Sequence, residues 1–380
     1  MKTVEIESAE QLFEHLRVSN SLTGVVIQGL DLRSHSAALR EVSAQGATFL
    51  GCQLDPETAA HVVATGGIVF PTLPQVPYQP YRGSLYSSAT LTDGYVHGQP
   101  DTLAQSMDQR VYAHYDGHRK AEGGVPIIEA LAQRLHDHAI DDALEDYLRG
   151  GDGEPKKVVA IMGGHGMERS DPNFRTVARV AHQLTNLGFL MATGGGPGAM
   201  EATNLGAYLA NAPLEDIDAA IDMLARAPDY THVEWWDSAL DVVKRWASDP
   251  GESVGIPTWY YGHEPPNLFA THVAKYFSNS LREDGLLTIA HHGVVFAPGS
   301  AGTIQEVFMD ACQNHYGTFG DVSAMVFMGR TYWTETKPVY PLLKALAADR
   351  QYGGLLGIED DEQAIVDFIV AHPPQVYRGR

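Results

Sequence analysis

Residues 294–306 read VVFAPGSAGTIQE, an apolar run that passes through a glycine-rich turn into a helical pattern. A second stretch of the same form, residues 189–201, reads FLMATGGGPGAME. Glycines at a strand-to-helix junction let backbone N–H groups approach a ligand closely, and the helix N-terminus behind them favours an anion. Two such turns in one parallel sheet predict a phosphate-bearing ligand between the strand ends.

Around these two stretches, the sequence alternates between strand-like and helical segments. The predicted strands are 158–162, 189–192, 254–256, 294–296 and 324–328. One predicted helix begins at Pro172, and others cover 198–210, 269–289, 304–315, 338–350 and 361–371. Two further helical stretches within 211–250 form an insertion. This alternation predicts an α/β fold, a doubly wound and mostly parallel Rossmann-like sheet with helices on both faces. In such sheets the ligand lies beyond the carboxyl ends of the strands.

A smaller N-terminal α+β region is predicted for residues 1–150, before the nucleotide-binding domain at 151–380. It contains short strand-like runs and no repeat regular enough for a solenoid, and a helical pattern follows from about 101 to 149. An extended connector is indicated by four prolines, Pro71, Pro74, Pro77 and Pro80. The domain boundary is placed at residues 150–155. We expect this region to be a lid, an oligomerisation element or a regulatory domain.

Composition restricts the possible partners. The 380 residues include 47 acidic and 26 basic side chains, a net charge of −21, which repels nucleic-acid backbones and anionic membranes. Only Cys52 and Cys312 are present, without metal-binding or redox spacing, as expected in a reducing compartment. There is no signal-peptide core and no apolar run of about 20 residues. We therefore expect a cytoplasmic protein with no nucleic-acid or membrane partner.

Two common nucleotide-binding motifs do not fit the turns. In the dinucleotide fingerprint, Gly164 and Gly166 would be followed by a third glycine, but Arg169 stands there. The second strand also ends without the acid that would bind a ribose. Neither turn has the Gly-Lys-Ser/Thr ending of a P-loop. The remaining interpretation is a monophosphate site.

The second turn has two interpretations. In one, the backbone N–H groups of Gly299, Gly302 and Thr303, with the Thr303 hydroxyl, bind a phosphate. In the other, Thr303 and Glu306 form a capping box, in which each satisfies a backbone donor of the other without any ligand. The additional glycines favour the phosphate site, since a plain cap does not need them.

The two turns resemble the signatures of the Lonely Guy (LOG) family, also called lysine decarboxylase-like proteins. The pattern Gly-Gly-Gly-x-x-Gly-x-Met is similar to Gly194, Gly195, Gly196, Gly198 and Met200. The pattern Pro-Gly-Gly-x-Gly-Thr-x-x-Glu is similar to Pro298, Gly299, Gly302, Thr303 and Glu306, with Ser300 in place of the middle glycine. Residues 197–202 and 264–267 resemble the longer bacterial members, the pyrimidine/purine nucleotide 5′-monophosphate nucleosidases. The likeness covers residues 156–345.

This resemblance implies hydrolysis of the N-glycosidic bond of a nucleoside 5′-monophosphate to free base and ribose 5-phosphate. It also implies no metal or redox cofactor, and homodimers or dimers of dimers. Its catalytic pair corresponds to Glu306 and Arg282. A carboxylate near C1′ stabilises the positive charge that develops on the ribose as the bond breaks. The alternative is a non-catalytic nucleotide-binding or sensor protein of the same fold.

Other residues give weaker indications. Glu201 either contacts the ribose hydroxyls or only caps its helix, and Gly163, Gly164 and His165 of the first loop are further candidates for ligand contact. His114 and His118 have the spacing of one helix face, but the sequence shows no third ligand, so no metal site is predicted. We expect Trp235, Trp236 and Trp259 to pack in the core, and Tyr260 and Tyr261 to be near the site.

Overall fold

The computed structural model describes residues 4–73, 75–150 and 154–379. Pro74 of the predicted connector and residues 151–153 of the predicted boundary lie outside the described residues. The strands are β1 (Val4–Ile6), β2 (Val25–Gln28), β3 (Thr48–Leu50), β4 (Ile68–Phe70), β5 (Val158–Met162), β6 (Leu190–Thr193), β7 (Ser253–Gly255), β8 (His272–Val273), β9 (Val294–Phe296), β10 (Asp321–Val322), β11 (Met325–Met328), β12 (Leu356–Glu359) and β13 (Gln375–Val376).

The α-helices lie between these strands, and in two places three of them follow one another along the chain. They are α1 (Ala9–Val18), α2 (Ser36–Arg40), α3 (Pro56–Ala64), α4 (Ser88–Leu91), α5 (Met107–Arg119), α6 (Ile127–Arg149), α7 (Pro172–Asn186), α8 (Ala199–Tyr208), α9 (Leu214–Leu224), α10 (Trp235–Arg245), α11 (Asn279–Ile289), α12 (Ala301–Tyr316), α13 (Val339–Leu346) and α14 (Glu362–Ala371). Among the helices of the described residues, none combines the length and apolar character that crossing a membrane requires.

The chain divides into two compact units, each made from two segments. The first contains Met1–Leu85 and Ala113–Tyr147, and the second contains Tyr86–Tyr112 and Leu148–Arg380. The single division predicted after residue 150 therefore misplaces residues 86–112. These residues belong to the second unit because Tyr86 pairs with Val273 and the buried Asp108 carboxylate accepts a hydrogen bond from Lys275 Nζ at 2.5 Å. Contacts this far apart along the chain leave no local signal in the sequence.

The first unit contains a parallel four-stranded sheet in the order β1-β2-β3-β4. Consecutive strands are in register at offsets of 21, 22 and 20 residues, as the pairs Val4–Val25, Val26–Thr48 and Thr48–Ile68 show. Equivalent core positions are Leu22, Val25, Ile27, Leu30 and Leu32 in one repeat and Ala44, Ala47, Phe49, Cys52 and Leu54 in the next. The expectation that this region has no regular repeat is wrong, since small side chains in the second set disguise the shared spacing.

The second unit contains the predicted doubly wound parallel sheet. Its seven strands run in the order β12-β11-β9-β5-β6-β7-β8, and every neighbouring pair is parallel. From β5 the chain first adds β6, β7 and β8 on one side of the sheet. It then adds β9, β11 and β12 on the other side. The point where the strand order reverses is therefore between β5 and β9, and the loops that follow these strands meet at the carboxyl edge of the sheet.

Most predicted elements of this unit are confirmed, including the two helices α9 and α10 within 211–250. The long helix predicted for 269–289 is wrong, because only α11 is helical there and β8 precedes it. Backbone N–H groups of this segment bond to neighbouring strands and loops, as from Val273 to Tyr86 O and from Ala274 to Gly255 O. These bonds replace the i to i−4 bonds of a helix. Strand β12 was not predicted.

Candidate functional site

A cleft of about 900 Å³ lies at the carboxyl ends of β5, β6 and β9. The loops after these three strands, the first turns of α12 and part of α11 line it. Most of the predicted site residues are brought together there: Gly163, Gly164, His165, Gly194, Gly196, Arg282, Pro298, Gly299, Ser300, Gly302, Thr303 and Glu306. Gly195, Gly198 and Glu201 are not among the lining residues. The three loops thus converge as expected for the reversal point of a doubly wound sheet.

Helix α12 presents its N-terminus to the cleft. Ser300 is its N-cap, and the hydrogen bond from Ile304 N–H to Ser300 O, at 2.9 Å, belongs to its first turn. The N–H groups of residues 301–303 precede that bond and have no intrahelical acceptor. Thr303 is therefore the third helical residue, and the capping-box interpretation with Thr303 as N-cap is wrong. The positive end of the helix dipole and these N–H groups favour negative charge at this end of the cleft.

Close packing accounts for the glycine at position 299 of this turn, whereas the glycine at position 302 has open space around it. A Cβ on Gly299 would lie 2.2 Å from Thr303 Oγ1 and 3.0 Å from Gly164 N, so a larger residue displaces the turn. A Cβ on Gly302 would meet nothing within 4 Å. Packing within the protein therefore does not require Gly302, which lines the cleft.

The glycines after β6 divide into two roles. Gly195 and Gly198 have φ of +69° and +71°, the left-handed region that favours glycine. A Cβ on Gly198 would also lie 2.3 Å from Gly164 O. These two residues shape the turn, whereas Gly194 and Gly196 line the cleft. The glycine signature therefore combines backbone geometry with close approach to the cleft.

Asn267 holds this turn in place from behind. Its side chain is buried, and its Nδ2 donates to Gly196 O at 3.0 Å and to Asn204 Oδ1 at 2.9 Å. Its backbone N–H donates to Gly195 O at 2.9 Å. The segment 264–267 was noted in the sequence only for its resemblance. Its asparagine serves the site by fixing the two carbonyl groups of the turn.

Glu201 has neither of its two expected roles. Its carboxylate accepts hydrogen bonds from Arg169 Nε at 2.9 Å and Arg169 Nη2 at 2.5 Å, and both side chains are 1% exposed. The guanidinium also donates to Ala227 O and Ser238 Oγ and lies over the Trp235 ring. Glu201 therefore pairs with a buried arginine that ties the first loop to α8 and α10, and it does not face the cleft.

Glu306 and Arg282 form a charged pair that lines the cleft. Arg282 Nη1 lies 3.9 Å from Glu306 Oε1, and the two side chains are only 12% and 16% exposed. Burial raises the pKa of Glu306 to about 7, the Arg282 charge opposes this effect, and the Glu283 charge adds to it. Among the described residues, buried Arg282 Nε has no hydrogen-bond partner. The cleft therefore holds a carboxyl group that titrates near neutral pH beside an arginine with one N–H to spare.

Sequence reasoning missed several residues of the cleft. Glu283 accepts from Arg282 Nη2 at 3.3 Å and from Gln305 Nε2 at 3.0 Å, and both Glu283 and Gln305 line the cleft. They adjoin predicted residues in the sequence, and this proximity was the available signal. Tyr332 hydroxyl donates to Gly299 O, and nothing in the sequence around it indicated this contact.

The aromatic and histidine predictions have mixed outcomes. The three tryptophans are buried, which confirms that they pack in the core. Tyr261 lines the cleft, whereas Tyr260 is not among its lining residues. His165 is half exposed, with Nε2 at 3.8 Å from Glu264 Oε1. His165 and Glu264 thus add polar side chains to the lining of the cleft.

Comparison with solved structures finds proteins of low similarity. The molybdenum cofactor binding protein from the phototrophic bacterium Rippkaea orientalis is 13% identical, with 57% of this chain and 96% of that chain covered and a TM-score of 0.36. The Moco carrier protein from Chlamydomonas reinhardtii is 14% identical, with coverages of 57% and 98% and a TM-score of 0.35. TM1055 is 18% identical, with coverages of 57% and 99% and a TM-score of 0.34. No family model and no curated protein matches the chain. Matches at this level carry no argument about ligand or reaction.

Proposed function

We propose that this protein hydrolyses the N-glycosidic bond of a nucleoside 5′-monophosphate, releasing free base and ribose 5-phosphate. The observation that carries the proposal is the position of Glu306, which lines the cleft one helical turn beyond the N–H groups that begin α12. The resemblance of the two glycine turns to the LOG signatures, and of residues 197–202 and 264–267 to the nucleotide 5′-monophosphate nucleosidases, supports the same substrate class.

The spacing along α12 suits this substrate. A phosphate bound at the N–H groups of residues 301–303 lies about one helical pitch, roughly 5.4 Å, from the level of Glu306. A ribose 5-phosphate spans a distance of this order, so its C1′ atom reaches the carboxyl group while its phosphate stays at the helix end. The Thr303 hydroxyl and the helix dipole add to phosphate binding.

The chemistry follows from the charges in the cleft. As the bond between C1′ and the base breaks, its electron pair leaves with the base nitrogen, and positive charge develops on the ribose. Ionised Glu306 stabilises that charge and accepts a proton from the water that attacks C1′. The departing base nitrogen gains one proton in exchange, so the products are the neutral base and ribose 5-phosphate with a free carboxylate on Glu306. Arg282 sits beside the carboxyl group and favours its ionised form. Arg282 lines the cleft, and in this proposal its guanidinium donates to the phosphate or to the departing base.

The test is a panel of AMP, GMP, CMP, UMP and an N6-prenylated AMP, with ribose 5-phosphate as the measured product. We expect release from at least one nucleotide, and loss of that release in Glu306→Gln by about 10²–10⁴-fold, the usual contribution of acid–base catalysis. Asp284→Asn is the matched control, because Asp284 lies on α11 two residues from Arg282, is exposed and is not among the lining residues.

Two results would contradict the proposal. Folded protein that releases no ribose 5-phosphate from any nucleotide is not this enzyme. If calorimetry then detects tight nucleotide binding, the protein is a non-catalytic binding or sensor protein. Full activity in Glu306→Gln, with Asp284→Asn equally active, would remove Glu306 from the mechanism and leave the reaction to another residue.

A further inference from the structure

We propose that the first unit binds a divalent transition-metal ion of the zinc class through His114, His118 and Glu129. One ligand atom from each of these residues lies within 4.8 Å of the other two. The two histidines are one turn apart on α5, and Glu129 lies in the first turn of α6. The third ligand absent from the local sequence is thus supplied by the next helix.

The donor atoms have separations that a metal ion can bridge. His114 Nε2 lies 2.9 Å from Glu129 Oε2. Zinc bound tetrahedrally by nitrogen and oxygen at about 2.0–2.2 Å holds its donor atoms about 3.3–3.5 Å apart. This separation is longer than the 2.9 Å between His114 Nε2 and Glu129 Oε2. It is shorter than 4.8 Å, the limit within which all three ligand atoms lie. Side-chain adjustments of less than about 1.5 Å therefore convert the cluster into a coordination site.

The hydrogen bonds around the cluster orient its members as metal ligands are usually oriented. Glu129 is buried, and its Oε1 accepts from Tyr78 hydroxyl and from Gln133 Nε2, each at 3.0 Å. Its other oxygen, Oε2, is thereby directed to His114. His118 Nδ1 lies 3.1 Å from His114 O, an acceptor to which it donates, so the lone pair of His118 is on Nε2. Such outer contacts fix the ligating atom and strengthen its binding.

An ion pair alone does not account for the whole cluster. A pair of His114 with Glu129 explains the 2.9 Å contact and leaves His118 outside the pair, with its ring packed edge-on against that of His114 at a centroid distance of 4.5 Å. Two imidazoles and one carboxylate form a donor set that suits Zn²⁺ and its neighbours, whereas Ca²⁺ and Mg²⁺ take oxygen ligands. Binding replaces the hydrogen bond between His114 Nε2 and Glu129 Oε2 with two bonds to the metal ion. Three protein ligands leave the fourth position to water.

The experiment uses the full chain, stripped of metal with a chelator. Co²⁺ is titrated into it while the visible absorption of the bound ion is recorded, and Zn²⁺ is then added as competitor. We expect one Co²⁺ per chain, displaced by one Zn²⁺. His118→Ala should weaken binding at least tenfold. His138→Ala is the matched control, an exposed histidine on α6 outside the cluster, and it should bind as the wild type does.

A second variant makes the test independent of the fold of His118→Ala. Tyr78→Phe removes the hydroxyl that orients Glu129 but keeps all three ligands, and we expect about 10–100-fold weaker binding. Zn²⁺ should also raise the melting temperature of the wild type and of His138→Ala more than that of Tyr78→Phe. The chain has 17 histidines, so adventitious binding is the competing explanation. Equal Co²⁺ affinities in wild type, His118→Ala and Tyr78→Phe, or no absorption at all, would overturn the proposal.

Discussion

Replacing Glu306 by glutamine should stabilise the protein at neutral and alkaline pH while it removes activity. The pKa of this carboxyl group is about 7, against an ordinary value of 4.5, chiefly because the group is buried. Each pKa unit corresponds to about 1.4 kcal/mol. Ionising Glu306 in the folded protein therefore costs about 3 kcal/mol more than ionising it in the unfolded chain. Glutamine has the shape of the protonated acid and does not pay this cost.

The gain must depend on pH in a definite direction. Between pH 4.5 and 7 the folded protein keeps a proton on Glu306 that the unfolded chain has lost, so the stability of the wild type falls as pH rises. Below pH 4.5 both states are protonated, and the variant should match the wild type. The difference in the free energy of unfolding should grow up to pH 7 and stay near 3 kcal/mol above it. Denaturant unfolding at pH 4.5, 6, 7 and 8.5 measures this profile.

Two outcomes would refute this reasoning. A Glu306→Gln protein that is less stable than wild type at pH 8.5 would mean that the carboxylate is stabilised by its surroundings. A gain that is the same at every pH would mean that it does not arise from ionisation. Asp284→Asn serves again as the control, since it makes a carboxyl-to-amide change at an exposed position of α11. The stability result tests the burial of Glu306 and does not depend on the proposed reaction, so it can be interpreted even if no nucleotide is hydrolysed.

Three further predictions concern the packing around the cleft. Glu201→Gln should lower the free energy of unfolding by about 3–5 kcal/mol, since it leaves the Arg169 charge buried and unpaired; a loss below about 1 kcal/mol in denaturant unfolding would contradict the buried pair. Gly299→Ala should abolish ligand binding by calorimetry or destabilise the fold by about 1–3 kcal/mol, while the control Gly302→Ala should leave stability unchanged to within about 0.5 kcal/mol. Asp310→Asn should stabilise the protein increasingly from pH 4 to 8, because burial raises the pKa of this carboxyl group to about 8. The Oδ2 atom of Asp310 also has no hydrogen-bond partner among the described residues. A gain in stability already present at pH 4 in thermal unfolding would exclude ionisation as its cause.

The parts of the structure that follow local rules could be predicted from the sequence. The apolar runs at β5, β6 and β9 and the glycine turns that follow two of them are short-range signals, and they placed the sheet and the cleft correctly. The same signals identified Gly194, Gly299 and Thr303 as lining residues, because residues after parallel strands share one edge of the sheet.

The errors arise where distant contacts override local patterns. Residues 269–278 have an apolar character compatible with a helix, but their backbone pairs with β7 and with residues near Tyr86. Glu201 lies in the first turn of its helix, a position from which a carboxylate can face a ligand. Its carboxylate instead accepts a hydrogen bond from Arg169 of another loop. Glu129 lies close to His114 and His118 only because a second helix brings it there. In each case the deciding partner is remote in sequence, and no local periodicity reports it.

The serine at position 300 changes the glycine signature without closing the turn. Its φ of −107° is within the range that any residue adopts, so the side chain causes no backbone strain. Ser300 is exposed and makes no capping hydrogen bond to α12. Gly299 is the closely packed residue of the turn, and Gly302 is the one with open space around it. Residues 300–303 all line the cleft, and the serine hydroxyl adds a donor there. This departure from the signature argues for one more hydrogen bond to an anion, and against a blocked site.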